Sequence, residues 1–293
     1  MDNLGIILLY PANYHGTNRY MDFEKHTIPA VSLGDTIPVA ELRPCAGESA
    51  WHLEIPPGPA GSYRLAQLDD YTPLTRTHFP HQPPVTLQLR ARVSKPQIPG
   101  TWGFGLWNDP FSLSLGLGGG TRRFPALPNA AWFFGASPQN YLSFRDDKPA
   151  RGFIAQTFRS ANLPAPLLAL SAPLLPLLLW PRLARAIRPH FRHWIQEDSF
   201  LLFSAQTSQV SETWEVYDPS AWHAYTLDWT AEQVSFTVDE QTFESGISPK
   251  GPLGLVIWVD NQFAAFPPDG KLSYGTLANS QSAWLEIEDL HLL

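Results

Sequence analysis

Two indoles in this chain are each followed closely by small polar side chains: Trp107-Asn108-Asp109, and Trp258-Val259-Asp260-Asn261-Gln262. A flat ring beside amides and a carboxylate suits a sugar or another polyhydroxylated ligand. If both segments line one groove, Trp107, Asn108, Asp109, Trp258, Asp260, Asn261 and Gln262 form its walls. The same residue types also build β-turns, where Asn and Asp bond to backbone, and both readings stay open at this level. For acid–base chemistry on such a surface the candidates are Asp109, Asp260 and His193.

His190, His193 and Glu197 fall at i, i+3 and i+7, so a helix through them would present three metal-ligating groups on one face. No Gly-x-Ser-x-Gly turn marks a nucleophile, and Cys45 lies in a Pro/Gly-flanked segment without an identifiable base. Ser112–Gly120 (SLSLGLGGG) reads as a strand running into glycines. Thr121-Arg122-Arg123 follows instead of Gly-Lys-Ser/Thr, so it is not a phosphate loop. No organic cofactor is expected.

The elements that must hold these residues are strands. Among 293 residues there are 29 Pro and 20 Gly, only 16% are charged, and 13% are aromatic with eleven Trp. Such a composition favours many short strands joined by turns. Val85–Val93 alternates cleanly, with Val85, Leu87, Leu89, Ala91 and Val93 on one face. In Thr101–Trp107, Trp102, Phe104 and Leu106 share a face, while Gly103, Gly105 and Trp107 share the other. The two glycines leave a hollow there, for a ligand or for a neighbouring bulky side chain. Further strands are predicted at 50–55, 62–68, 130–135, 141–144, 152–158, 199–205, 213–217, 222–229, 233–238, 253–259 and 284–292. About a dozen strands predict a β-sandwich of two antiparallel sheets. Residues 1–48 read as an irregular N-terminal extension with one or two edge strands, and 49–293 as a single sandwich domain.

A net charge of −7 argues against nucleic acid. One cysteine excludes an intrachain disulfide, and the start has no basic n-region before Pro11, so a cytoplasmic protein without a secretory signal is expected.

LQLRARVSKPQIPGTWGFGLW (Leu87–Trp107) and WHAYTLDWTAEQVSFTVDEQ (Trp222–Gln241), with the closing strand Trp284–Leu292, resemble laminarinase-like glycoside hydrolases, the concanavalin-type jelly rolls of family sixteen. The resemblance covers roughly residues 50–293 and implies their fold: two antiparallel sheets in a jelly roll. It also implies a catalytic strand between Trp107 and Gly152 bearing E-x-D-x-E or E-x-D-x-x-E, since period-two spacing brings three carboxylates onto one face. Ala130–Phe144 (AAWFFGASPQNYLSF) contains no Asp or Glu. Trp132, Gln139 and Tyr141 occupy that segment and join the candidate ligand-binding residues. Glu240/Glu244 and Glu286/Glu288 are the nearest imitations and read as solvated faces. Similar jelly rolls bind calcium, so the resemblance leaves room for a structural ion.

Residues 160–198 interrupt the sandwich with a Pro-rich, helical insertion. Its first part, 160–181, carries no charge, but Pro164, Pro166, Pro173, Pro176 and Pro181 break any continuous span. Pro181–Ile195 is amphipathic: Leu183, Ala184, Ile187, Phe191, Trp194 and Ile195 on one side, Arg182, Arg185, Arg188 and Arg192 on another. It fits a lid on the sheet, a membrane-surface helix or an oligomer contact. The sequence thus predicts a non-hydrolytic jelly roll that binds a carbohydrate, glycolipid or hydrophobic small molecule beneath its insertion. Two alternatives stand beside it: an enzyme, hydrolase- or lyase-like, with relocated acid and base, and a peripheral membrane protein anchored by 160–198.

Overall fold

The computed structural model describes residues 24–28, 41–44, 50–110, 126–163, 165–171, 177–204 and 217–293. Cys45, Ser112–Gly120 and the first four residues of the strand predicted at 213–217 lie outside them. Two seven-stranded sheets stack face to face, with every pairing antiparallel. The first runs β1 (Glu24–Ile28), β4 (Leu65–Asp69), β13 (Gly254–Asp260), β6 (Thr101–Trp107), β7 (Ala130–Ala136), β8 (Gly152–Ser160), β9 (Ile195–Phe203). The second runs β12 (Gln241–Ser245), β11 (Val234–Val238), β10 (His223–Trp229), β5 (Val85–Val93), β16 (Ala283–Leu292), β3 (Trp51–Ile55), β2 (Glu41–Pro44). The chain is a jelly-roll β-sandwich.

Alternation explains the second sheet. In β5 the predicted inward residues Val85, Leu87, Leu89, Ala91 and Val93 are all buried, and Gln88 and Arg90 are exposed. Across that solvent face Arg92 pairs with Glu286 and Arg90 with Glu288, so the two glutamates form a cross-strand charge ladder. The first sheet differs. Six of seven residues in β6 and in β7, and all seven in β13, are buried, because both faces are covered. Phe104, Leu106, Phe133, Leu255 and Ile257 enter the main core with Leu53, Leu87 and Phe236. Val256, Trp258, Trp132, Phe134 and Phe158 face the other way and build a second apolar layer with Tyr71 and Phe79. Continuous apolar runs, rather than alternating ones, are what a doubly covered strand requires.

The hollow over Gly103 is filled from within. A Cβ there would lie 2.8 Å from the Trp258 ring and would also strike the carbonyl oxygen of Phe133. The Trp258 ring therefore reaches over β6 where a side chain would otherwise stand.

Other departures from the sequence reading are local. Tyr141–Phe144 is no strand: Tyr141 makes one bridge to Ala265, and Ser143 and the Phe144 amide turn to Glu197. A short hairpin, β14 (Gln262–Ala265) with β15 (Ser273–Thr276), gave no alternation signal. Within the N-terminal extension, β1 and β2 each pair onto one sheet, β1 with β4 and β2 with β3. In the insertion, α1 spans Ala165–Ser171 and α2 Pro181–Phe191. Ile195 is not on the helix but opens β9, and is buried there.

Gly103→Ala is expected to destabilise the protein by about 1–3 kcal/mol, the usual cost of overpacking. Denaturant unfolding and near-UV circular dichroism measure it; an unchanged midpoint and aromatic signal would mean that Trp258 does not occupy the hollow.

Candidate functional site

Three indoles meet on the outer face of the first sheet. Trp107 and Trp258 lie nearly parallel, 7° apart, with centroids 6.4 Å from each other, and Trp132 sits 6.0 Å from Trp107 and 5.7 Å from Trp258. Strand register brings them together: Trp258 pairs with Gly103 and Trp132 with Gly105, so neither ring competes with a side chain on β6. Trp132 Nε1 donates to Gln156 Oε1 (3.2 Å), and Gln156 Nε2 donates to the Leu142 carbonyl (3.0 Å). Gln156 escaped the sequence reading. Its signal was a single amide within an apolar strand, directly opposite Trp132 in the β7–β8 register. Trp132 and Trp258 are buried, at 6% and 8% exposure, whereas Trp107 keeps partial access to solvent.

The two polar segments do not share one end of a groove. Antiparallel register pairs Asp260 with Thr101 and Gly254 with Trp107. Asp260–Asn261–Gln262 and Asn108–Asp109 therefore lie at opposite ends of the β6–β13 pair, about 20 Å apart. Gln139, exposed, and Tyr141 follow β7 at the Asp260 end. Two of the amides serve backbone. Asn108 donates to the Leu127 carbonyl and accepts from the Asn129 amide. Asn261 accepts from the Arg64 amide and donates to the carbonyls of Ser62 and Leu277. Asp109 takes a left-handed backbone conformation (φ 46°), and its carbonyl and that of Asn108 receive the Arg76 guanidinium. Tyr141 lies beneath the Arg188 guanidinium at 5.6 Å.

Asp260 is the most perturbed acid of the outer face. Thr101 donates to Oδ1 through its amide (3.1 Å) and hydroxyl (2.7 Å), the Gln262 amide adds a third bond (3.2 Å), and the Tyr63 hydroxyl approaches Oδ2 (3.4 Å). Burial nevertheless dominates these bonds and pushes its carboxyl up to about 7. The Thr101 hydroxyl in turn accepts from Trp258 Nε1 (3.0 Å), which ties the acid to the indole layer.

Glu197 is another buried carboxylate. It lies on β9 rather than on a helix, so it cannot join His190 and His193 on one helical face. Both of its oxygens are occupied by Ser143 and by the amides of Phe144 and Arg145, and burial raises its pKa. His190 and His193 are exposed. Four strand spacings, about 19 Å along the sheet, separate β13 from β9. Asp260 and Glu197 therefore do not face each other across one bond. The proposed trio fares no better: Asp109 and Asp260 lie at opposite strand ends, and His193 lies beyond α2. On β7 the outward residues are Ala130, Trp132 and Phe134, so no carboxylate stands there.

Beneath α2, Arg188 and Phe191 fill the space against the sandwich. Arg188 is buried, with Nε on the Phe266 carbonyl, a second nitrogen on the Ser143 carbonyl and a third on Asp146. Phe191 packs against Phe144 (5.4 Å) and Phe266 (6.0 Å). Among the described residues, α2 is therefore packed against the sandwich through Arg188 and Phe191.

No family model matches the sequence, and no curated protein does. Among solved structures the chain is similar to a glycoside hydrolase family 16 endo-glucanase from Bacteroides ovatus, at 11% identity over 92% of this chain and 94% of that one, TM-score 0.44. It is also similar to an endo-β-galactosidase from Clostridium perfringens, at 11% identity over 90% of this chain, TM-score 0.42, although it spans only 58% of that protein's chain. An alginate lyase gives 9% identity over 92% and 93% of the two chains, TM-score 0.41.

Asp260 makes stability depend on pH. Unfolded, its carboxyl ionises near the ordinary value of about 4; folded, it ionises at about 7. Between these values the folded state keeps a proton that the unfolded state has lost, so this group's contribution falls as pH rises through the window. Asp260→Asn preserves the shape and abolishes the titration. Its melting temperature should gain on the wild type from about pH 4 to about pH 7 and hold that gain above it, and two parallel curves would contradict the assignment.

Proposed function

We propose that the protein is a non-hydrolytic jelly roll that holds a carbohydrate against Trp107. One observation carries this reading: the outer face of the first sheet presents a layer of indoles with the partly accessible Trp107 at its edge, while its buried carboxylates Asp69, Asp260 and Glu197 stand apart by register and are each held by donors. Stacking of a pyranose on an indole needs a flat apolar ring and no proton transfer, whereas retaining hydrolysis needs two carboxyl groups about 5–5.5 Å apart. Trp132 and Trp258, held by Gln156 and Thr101, would fix Trp107 rather than touch the ligand themselves. Gln139 and Tyr141, at the far end, belong to the site only if the ligand spans about 20 Å of sheet. We further place the protein in the cytoplasm, on the strength of its single cysteine.

Calorimetric titration against a panel of gluco-, galacto- and manno-oligosaccharides tests the proposal. At least one is expected to bind, with affinity falling at least tenfold in Trp107→Ala and largely kept in Trp107→Phe. No reducing ends should be released on prolonged incubation. Hydrolysis of any member, or no binding across the whole panel, would overturn it.

A further inference from the structure

Charge and apolar exposure are unevenly distributed over this molecule. The chain as a whole carries −7, yet residues 160–195 contain four arginines and not one Asp or Glu. The large hydrophobic side chains that stand exposed concentrate in the same stretch. Of the nine among the described residues, six belong to it: Leu167 (51%), Leu170 (75%), Leu177 (51%), Leu179 (55%), Trp180 (61%) and Trp194 (44%).

The arrangement has two sides. Through Ala184, Arg188 and Phe191 the inner side of α2 is fixed to the sandwich, and Asp146 takes up the charge of Arg188 and Arg192. Away from the body, Leu179 and Trp180 lead into α2, followed at once by Arg182 and Arg185. Arg182 and Arg185 enter no ion pair among the described residues; Arg185 donates to the Asp269 carbonyl. The result is an apolar edge beside two arginines that have no ion-pair partner among the described residues, on an element whose other side is anchored. Among the described residues no helix is long and apolar enough to cross a bilayer. This geometry suits lying in an interface: leucines and an indole enter the acyl boundary while arginines meet anionic headgroups.

We propose that α2 and the turn Leu177–Trp180 leading into it dock the protein onto anionic phospholipid membranes, with Leu179 and Trp180 entering the interface and Arg182 and Arg185 contacting headgroup phosphates. An anionic bilayer is the occupant that accounts for both halves of the pattern. A second copy of this chain would bring the same arginines together, and a purely apolar partner would leave them without a counter-charge.

Flotation with phosphatidylcholine vesicles containing 30% phosphatidylserine, against vesicles of phosphatidylcholine alone, tests the docking. The wild type should float with the anionic vesicles, at least tenfold less with the neutral ones, and progressively less as salt rises from 0.1 to 0.5 M. Arg182→Glu with Arg185→Glu, and separately Leu179→Ser with Trp180→Ser, should each lower the bound fraction at least tenfold. These residues point outward, so melting temperatures should stay near the wild-type value. Failure of the wild type to float, or flotation indifferent to both variants, overturns the proposal. So would sedimentation showing a dimer that dissociates in the Leu179→Ser/Trp180→Ser variant while vesicles capture nothing.

Discussion

A sheet whose strands are apolar on both faces must be covered on both, and that constraint shapes this molecule. The first sheet meets it on one side with the main core and on the other with its own aromatic side chains. The second solution works only because β6 has no side chain at Gly103. Trp258 lies where a Cβ would have been, and Trp132 crosses its neighbour at Gly105. Everything outside follows from that layer. Tyr71 and Phe79 close over it from one direction, Phe144 and Phe191 from another, and α2 is held by what Phe191 and Arg188 meet.

The same dry layer governs the chemistry open to the face. A carboxylate placed there loses its hydration, and two of the buried ones illustrate the outcome. Asp260 and Glu197 are each wrapped in donors and each still shifted upward by burial, far apart from one another. Donors drawn from backbone amides hold a charge in place, but they also occupy the lone pairs that a substrate proton would need. These acids stabilise the loops around Thr101 and Ser143 rather than meet a common bond.

Much of the architecture was legible because strand periodicity is short and local. Val85–Val93 and Thr101–Trp107 have the bounds that their patterns predict. What escaped was long-range. Nothing local indicates that Asp260 pairs with Thr101 rather than lying beside Asp109; only the antiparallel register decides it. Glu197 sat at helical spacing from His190 and His193, but the apolar partners that pull Ile195 into β9 lie in Gly152–Ser160, far along the chain. The glycines of β6 announced a hollow correctly, yet which side chain would fill it depended on a strand more than 150 residues away. Gln156 and Arg188 were visible as polar residues in apolar surroundings. Their partners, the carbonyls of Leu142, Ser143 and Phe266, belong to segments without any pattern of their own.

The two short strands at the beginning of the described chain have a bearing on how the protein behaves in a crowd. β1 lies at one margin of the first sheet and β2 at one margin of the second, so a single stretch of polypeptide satisfies the hydrogen-bonding capacity of a border on each. Without it, β4 and β3 would both present bare amides and carbonyls to other molecules, two templates for strand addition on one particle. A shorter version of the domain, begun at the first obvious strand, would leave out both of these short margins and put β4 and β3 at the sheet borders in their place.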